Sequence, residues 1–198
     1  MCGIIQMKLY SRGKQEKNVM SENLLHNHDF GTAWKTIHIY RREGFYTSVT
    51  DYHEHPFYEI NLILSGNVKI ILKDRFEEGC RNHIVLARPG TPHYIACKPD
   101  TLYRRIYLVF SGAFMENCFP EWKQLSAIFG DNGNILTVTE EETAFFQSLM
   151  EQIEGEKSIF GQRLLTYYLL LRLSERTEEN GLKKEIPPYI FEALTYLE

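Results

Sequence analysis

Asp51-Tyr52-His53-Glu54-His55-Pro56-Phe57-Tyr58-Glu59 decides the reading of this chain. His53, His55 and Glu59 are separated by even numbers, so in an extended strand all three side chains leave the backbone on one side. Phe57 and Asn61 share that parity. Pro56 removes one ladder donor and bends the strand. Two imidazoles and a carboxylate on one face are ligands that zinc, nickel, iron or manganese accept. His93 lies just past the turn Pro89-Gly90-Thr91-Pro92, where a neighbouring strand brings it alongside as a fourth candidate.

On both sides of this stretch the pattern is that of short strands. Phe45 to Tyr52 is rich in β-formers, and Phe57 to Leu64 follows and ends at the turn Ser65-Gly66-Asn67. Val68, Ile70 and Leu72 alternate with Lys69 and Lys73, a half-buried strand. Asp74 to Asn82 reads as a charged loop, Ile84 to Ala87 as a short apolar strand, and Leu102 to Phe110 as a longer one. In that last strand Tyr103, Arg105, Tyr107 and Val109 share a face. Short strands punctuated by regular turns predict a sandwich or barrel rather than a parallel sheet of βαβ units.

The period changes after Phe110. Trp122, Leu125, Ile128 and Phe129 have helical spacing, and Ile135 to Val138 reads as a last strand. Thr139 with Glu142 three positions later is a capping box, followed by an apolar face through Phe145, Phe146, Leu149, Met150 and Ile153. A second helix spans Ser158 to Thr177, and Asn180-Gly181 closes it. Pro187 and Pro188 stop any continuation. Tyr189 to Glu198 opens a new amphipathic helix at the end of the given sequence, which reads as the start of a further unit. The expected organisation is a polar arm over 1–29, a barrel over 30–138, a helical segment over 139–182, and a linker with a helix start over 183–198.

Composition narrows the function classes. The 198 residues are 43% hydrophobic and 24% charged, the balance of a folded domain. A net charge of −4 argues against broad nucleic-acid binding by this chain alone, because phosphate contacts need a face rich in lysine and arginine. No apolar run approaches the ~20 residues of a membrane span. The N-terminus lacks a secretory layout. Cys2, Cys80, Cys97 and Cys118 form no CxxC pair, so neither a zinc knuckle nor a disulfide framework is indicated. Reduced thiols and a cytoplasmic location are the expectation.

Several residues join the histidines as candidates. Arg88, tied to the turn before His93, can fork two hydrogen bonds onto a sugar hydroxyl pair or a carboxylate. Arg104 and Arg105 read as solvated strand arginines. Tyr46 and Tyr107 offer flat faces for a sugar ring. Leu164, Leu165, Tyr168, Leu169 and Leu171 cover more than one helix face, which suggests a surface for a second copy of the chain. His26 and His28 have the same spacing as His53 and His55 but lie in a polar stretch, and read as surface.

His53-x-His55, Glu59 and Gly66 match the first cupin motif. Arg88-Pro89-Gly90-Thr91-Pro92-His93 resembles the second, with Arg88 in place of the usual proline. Together with Phe57-Tyr58-Glu59-Ile60 and Leu64-Ser65-Gly66, the pattern resembles the N-terminal sensing domain of AraC-type transcriptional regulators. That resemblance implies a mainly β chain with C-terminal helices: a cupin-like double-stranded β-barrel, or jelly roll, followed by two or three helices. It also implies a small-molecule effector in the barrel, often a sugar, a homodimer through the helices, and DNA contact only through a helix-turn-helix domain beyond this chain. His53, His55, Glu59, Arg88, His93, Tyr46 and Tyr107 would line the pocket. No cofactor is certain; a divalent metal ion on His53, His55, Glu59 and His93 is the candidate. The competing class is a metal-dependent cupin enzyme, such as a sugar isomerase or dioxygenase. The weakly matched second motif and the helical extension favour the sensor over catalysis.

Overall fold

The computed structural model describes residues 37–45, 53–73, 75–78, 81–98, 101–116 and 118–177. Tyr46, the arm over 1–29 and the linker with its helix start over 183–198 lie outside the described residues. Among the described residues there are eight strands, β1 (Ile37–Phe45), β2 (Tyr58–Ser65), β3 (Val68–Leu72), β4 (Arg75–Glu78), β5 (His83–Ala87), β6 (His93–Cys97), β7 (Leu102–Phe110) and β8 (Asn134–Thr137). The described helices flank and follow β8: α1 (Gly112–Glu116), α2 (Trp122–Leu125) running into a 3₁₀ turn (Ser126–Phe129), α3 (Glu140–Gly155) and α4 (Ile159–Thr177).

Among the described residues every strand ladder is antiparallel, and the ladders form two sheets, one of five strands in the order β1-β7-β2-β5-β8 and one of three in the order β4-β3-β6. Two corners carry the chain from the large sheet to the small one. The first is Ser65-Gly66-Asn67, where Gly66 has φ +113 and an added Cβ would meet Tyr103 Cδ2 at 3.2 Å. Only glycine takes that backbone at little cost. The second is the turn over Arg88–Pro92, with Gly90 at φ +73.

Three layers result, the small sheet, the large sheet and the helices, each burying an apolar face against the next. Between the sheets, Ile63, Val85 and Tyr103 of the large sheet pack on Val68, Ile70, Leu72, Ile95 and Cys97 of the small one. On the opposite side, Ile60, Leu62, Ile84, Leu86, Ile106 and Leu108 pack against α1–α4. Strands β2 and β7 are therefore buried on both faces, which is why their sequences, YEINLILS and LYRRIYLVF, lack a clean polar alternation. The molecule is mainly β with C-terminal helices, its two antiparallel sheets packed face to face.

The capping box is present in full: Glu142 N donates to Thr139 Oγ1 at 3.1 Å, and Thr139 N donates to Glu142 Oε2 at 2.8 Å. The same Glu142 oxygen receives Arg176 Nη2 at 2.7 Å, tying the first turn of α3 to the last turn of α4.

The leucines of α4 differ from expectation. Leu164, Leu165, Leu169 and Leu171 are buried within the protomer, and Tyr168 is half-buried with its ring edge-on to Phe145. The wide apolar stripe reflects a helix covered on several sides by α3, the 3₁₀ turn and the short helices α1 and α2. It is not surplus surface held ready for a partner. The exposed large apolar side chains of this helical layer are Phe145, Ile159 and Phe160.

Candidate functional site

The histidines are placed by backbone pairing. His53 N donates to the His93 carbonyl at 3.1 Å and His93 N to the His53 carbonyl at 2.8 Å, so residues 53–55 run beside β6 at the edge of the small sheet. Gly90 N donates to the His55 carbonyl at 3.0 Å and pins the second corner onto the same segment. Pro56 then turns the chain through Phe57 into β2, and Phe57 with the odd-numbered β2 residues Glu59, Asn61 and Ile63 faces the interior between the sheets. The sequence parity thus survives the bend, and imidazoles from the small sheet meet a carboxylate from the large one.

The contacts form a continuous buried chain. His55 Nε2 donates to Glu59 Oε2 at 2.7 Å, and His93 Nε2 stands 3.8 Å from the same oxygen. Asn61 Nδ2 donates to Glu59 Oε1, and Arg105 Nη1 donates to Asn61 Oδ1 at 3.1 Å. The Arg105 guanidinium lies over the Tyr107 ring, 4.2 Å from its centroid, and Tyr107 stacks on Tyr40 at 5.1 Å. The ring of His53 is 4.3 Å from that of His93. One ligand atom from each of His53, His55 and His93 fits within 4.8 Å of the others.

Protonation follows from these contacts. Burial pushes the Glu59 carboxyl upward, but the hydrogen bond from His55 and the nearness of His93 outweigh it, and Glu59 titrates well below the usual carboxylate range. Burial pushes His93 down, while Glu59 and the Thr91 carbonyl, which accepts from Nδ1 at 2.8 Å, raise it to a net upward shift against the opposing Arg105. With Nδ1 donating to Thr91, the other nitrogen meets the carboxylate favourably only when it too carries a proton. Burial pushes the Cys97 thiol up to about 11, so that sulfur is inert at neutral pH.

A pH dependence of stability follows, with two opposite signs. Glu59, depressed when folded, contributes stability that is present above the unfolded carboxylate value near 4.5 and is lost as the pH falls through its lower folded value. His93, raised when folded, contributes stability that is complete below its ordinary 6.5 and is lost as the pH rises through its higher folded value. Urea unfolding of chelator-treated protein is expected to give a higher midpoint at about pH 5.5 than at pH 8. The difference should vanish in His93→Leu; a midpoint still rising with pH across this window in the unmodified protein would contradict the assignment.

Most of the candidate residues converge here, and one does not. His53, His55, Glu59, His93 and Tyr107 stand on the interior. Arg88 points outward, exposed, and pairs with Asp131 at 3.1 Å, because the turn residue before Pro89 is carried to the surface as the chain changes sheet. Arg105, read from sequence as solvated, is instead 5% exposed and forms the cationic end of the network. Asn61 and Thr91 are the other polar members that sequence reasoning left out. The parity of Asn61 with Glu59, and of Arg105 with Tyr103 and Tyr107, was the signal available for them.

Residues 37–173 match the family model of the AraC-like ligand binding domain. The chain belongs to that family. No curated protein matches it. Among solved structures, a variant of ToxT from Vibrio cholerae is similar in fold at 9% identity, over 81% of this chain and 63% of that one, with a TM-score of 0.50. A second ToxT structure aligns at 14% identity over 82% and 64%, with a TM-score of 0.48. A cupin protein from Bacteroides fragilis aligns at 15% identity over 56% of this chain and 86% of its own, with a TM-score of 0.35. This member of the AraC-like ligand binding family therefore spans less than two thirds of the ToxT chains. Among the described residues, no helix is long and apolar enough to cross a membrane.

Proposed function

We propose that this chain is the effector-sensing and dimerisation part of a transcription regulator. A small metabolite, with sugars as one class, binds between the two sheets, and the helical layer relays its presence to a helix-turn-helix domain outside this chain. The protein then works in the cytoplasm and is not an enzyme. The observation that carries this reading is a set of buried polar atoms facing the interior with no hydrogen-bond partner among the described residues: His55 Nδ1, His93 Nε2 and Thr91 Oγ1. Their residues are 6%, 2% and 3% exposed. Such atoms are costly to leave unsatisfied, so a site of this kind suits a polar guest. Family membership supports the same reading. Homodimerisation is part of the proposal, with Phe145, Ile159 and Phe160 the large apolar side chains left exposed on the helices among the described residues.

The second reading, a metal-dependent cupin enzyme, draws on one specific observation: the three histidines with Glu59 are a donor set that suits a divalent ion. His53, His55, His93 and Glu59 would hold the ion, which would act as a Lewis acid. The network already present, with Glu59 engaged by His55 and Asn61, holds together through its own hydrogen bonds and favours the sensor.

A thermal-shift screen of chelator-treated protein against sugars and small metabolites separates the two. The sensor reading expects at least one compound to raise the melting temperature by several degrees without added metal, since a ligand that binds only the folded state stabilises it by mass action. Stabilisation that requires a divalent ion and is accompanied by turnover of the compound would establish the enzyme instead.

A further inference from the structure

The small sheet ends in an open edge. Strand β4 pairs with β3 on one side, and among the described residues no strand lies on its other side. Every residue of β4 is exposed. At its centre stands Phe76, 55% exposed, and an aromatic side chain on an unpaired edge invites another strand.

Phe76 ends an apolar row. It lies opposite Ile71 in β3, which lies opposite Tyr94 in β6. Paired residues share a face, and Ile70, Leu72 and Ile95 fill the interior, so this row crosses the outer face of the sheet. Ile71 and Tyr94 are half-buried. Lys69 steadies the Phe76 ring on that face, with Nζ 5.6 Å from the centroid and 2.5 Å from Glu78 Oε1.

Symmetry and charge restrict what fits beyond the edge. Two copies of β4 pair antiparallel about a two-fold axis normal to the sheet, so one residue meets its own copy on the axis and its neighbours meet each other across it. Centred on Arg75, the pairing opposes two guanidiniums; centred on Glu77, it opposes two carboxylates. Centred on Phe76, it pairs the two aromatic rings and sets each Arg75 against Glu77 of the other copy. The next pair outward brings Glu78 to Asp74, and Lys69 offsets that contact through its ion pair with Glu78. Arg75 Nη1 donates to Asn134 Oδ1 at 3.2 Å, and a guanidinium has further donors for a carboxylate. The segment Arg75-Phe76-Glu77 is thus complementary to itself in one register.

We infer that two copies of this chain join edge to edge through β4, with Phe76 on the two-fold axis, so that the three described strands of each small sheet form one sheet of six. This rests on the homodimerisation in the proposed function and places it on the small sheet rather than on the helices. The row Tyr94-Ile71-Phe76 then runs unbroken into its own copy.

Sedimentation equilibrium of the 198-residue chain tests this at about 100 μM, a concentration suited to a small interface. The unmodified chain is expected to be a dimer. Arg75→Glu and Phe76→Glu, both at exposed positions, should keep the circular dichroism of the parent and weaken dimerisation by about tenfold or more. The exchange Arg75→Glu with Glu77→Arg should restore the dimer, which a general loss of surface contacts would not allow. If Arg75→Glu does not fold, Glu77→Arg alone breaks the same pair without touching the bond to Asn134. A dimer that survives the β4 variants but is lost in Phe160→Glu overturns the inference and leaves homodimerisation standing on the helices. A folded charge exchange that stays monomeric overturns the pairing. An unmodified chain that is monomeric at this concentration removes homodimerisation as well, while effector binding is read separately from the thermal-shift screen.

Discussion

Leu169→Glu is expected to abolish the folded state rather than to separate two copies of the chain. Leu169 is fully buried in the core shared by the large sheet and the helices, beside Leu165, Leu170 and Leu173 on its own helix. A carboxylate there loses the transfer energy of a leucine and must also be charged without a partner or neutralised. Each ion buried this way costs several kcal/mol after relaxation, and a domain of this size has roughly 5–15 kcal/mol in all. Far-UV circular dichroism should show lost structure, with the protein largely insoluble. A variant with the unmodified spectrum and a urea midpoint within about 1 kcal/mol of the parent would mean that α4 does not pack as described. Exposed Phe160, at 67% exposure, is the contrasting position: Phe160→Glu should leave the fold intact.

The second large effect is at Glu59. In Glu59→Leu the shape is roughly kept while His55 Nε2 and Asn61 Nδ2 lose their acceptor, and the Arg105 guanidinium loses the link to this negative charge that runs through Asn61. Removing one member of a buried charged network costs about 3–5 kcal/mol, far more than the net value of the interaction, because the remaining members are left without partners. Urea unfolding gives this directly. A double-mutant cycle with His55→Leu should show a coupling of about 0.5–3 kcal/mol between the two sites. A loss below about 1 kcal/mol in Glu59→Leu would show that water satisfies the network as well as the carboxylate does.

Local chemistry was legible in the sequence wherever it is self-contained. The box at Thr139 and Glu142 needs only four residues and a helix start, and it forms as read. The parity of His53, His55 and Glu59 also carried through, because the pairing of His53 with His93 and the bend at Pro56 keep the three side chains on one interior. What depends on the second face of an element was not legible. Strand β1 holds Arg41, Arg42 and Glu43, and its charge masks the fact that alternate residues point inward. Strand β4, RFEE, is exposed at every position and has the composition of a loop; it is a strand only because β3 offers it an edge. Strand β6 lay hidden behind a turn motif.

The arginines show the same limit. Arg88 and Arg105 are equally plausible by composition, and only the large sheet, by burying both faces of β7, turns one inward while the corner turns the other out. The α4 leucines were legible as apolar but not as covered, since their cover comes from α1, α2 and α3, far away in sequence.

The middle layer has one further consequence. In β2 the residue that holds the histidines, Glu59, is bonded to Ile60 and Tyr58, which lie under the helices; the Tyr58 ring stacks on Phe110 at 5.5 Å and meets Trp122 edge-on at 5.0 Å. A strand with both faces packed cannot shift one row of side chains and leave the other in place. The interior and the helical layer are thus separated by a partition one backbone thick, without slack on either side. Whatever displaces Glu59 is felt beneath Trp122 at once, through a single peptide unit and with no relay of intermediate residues.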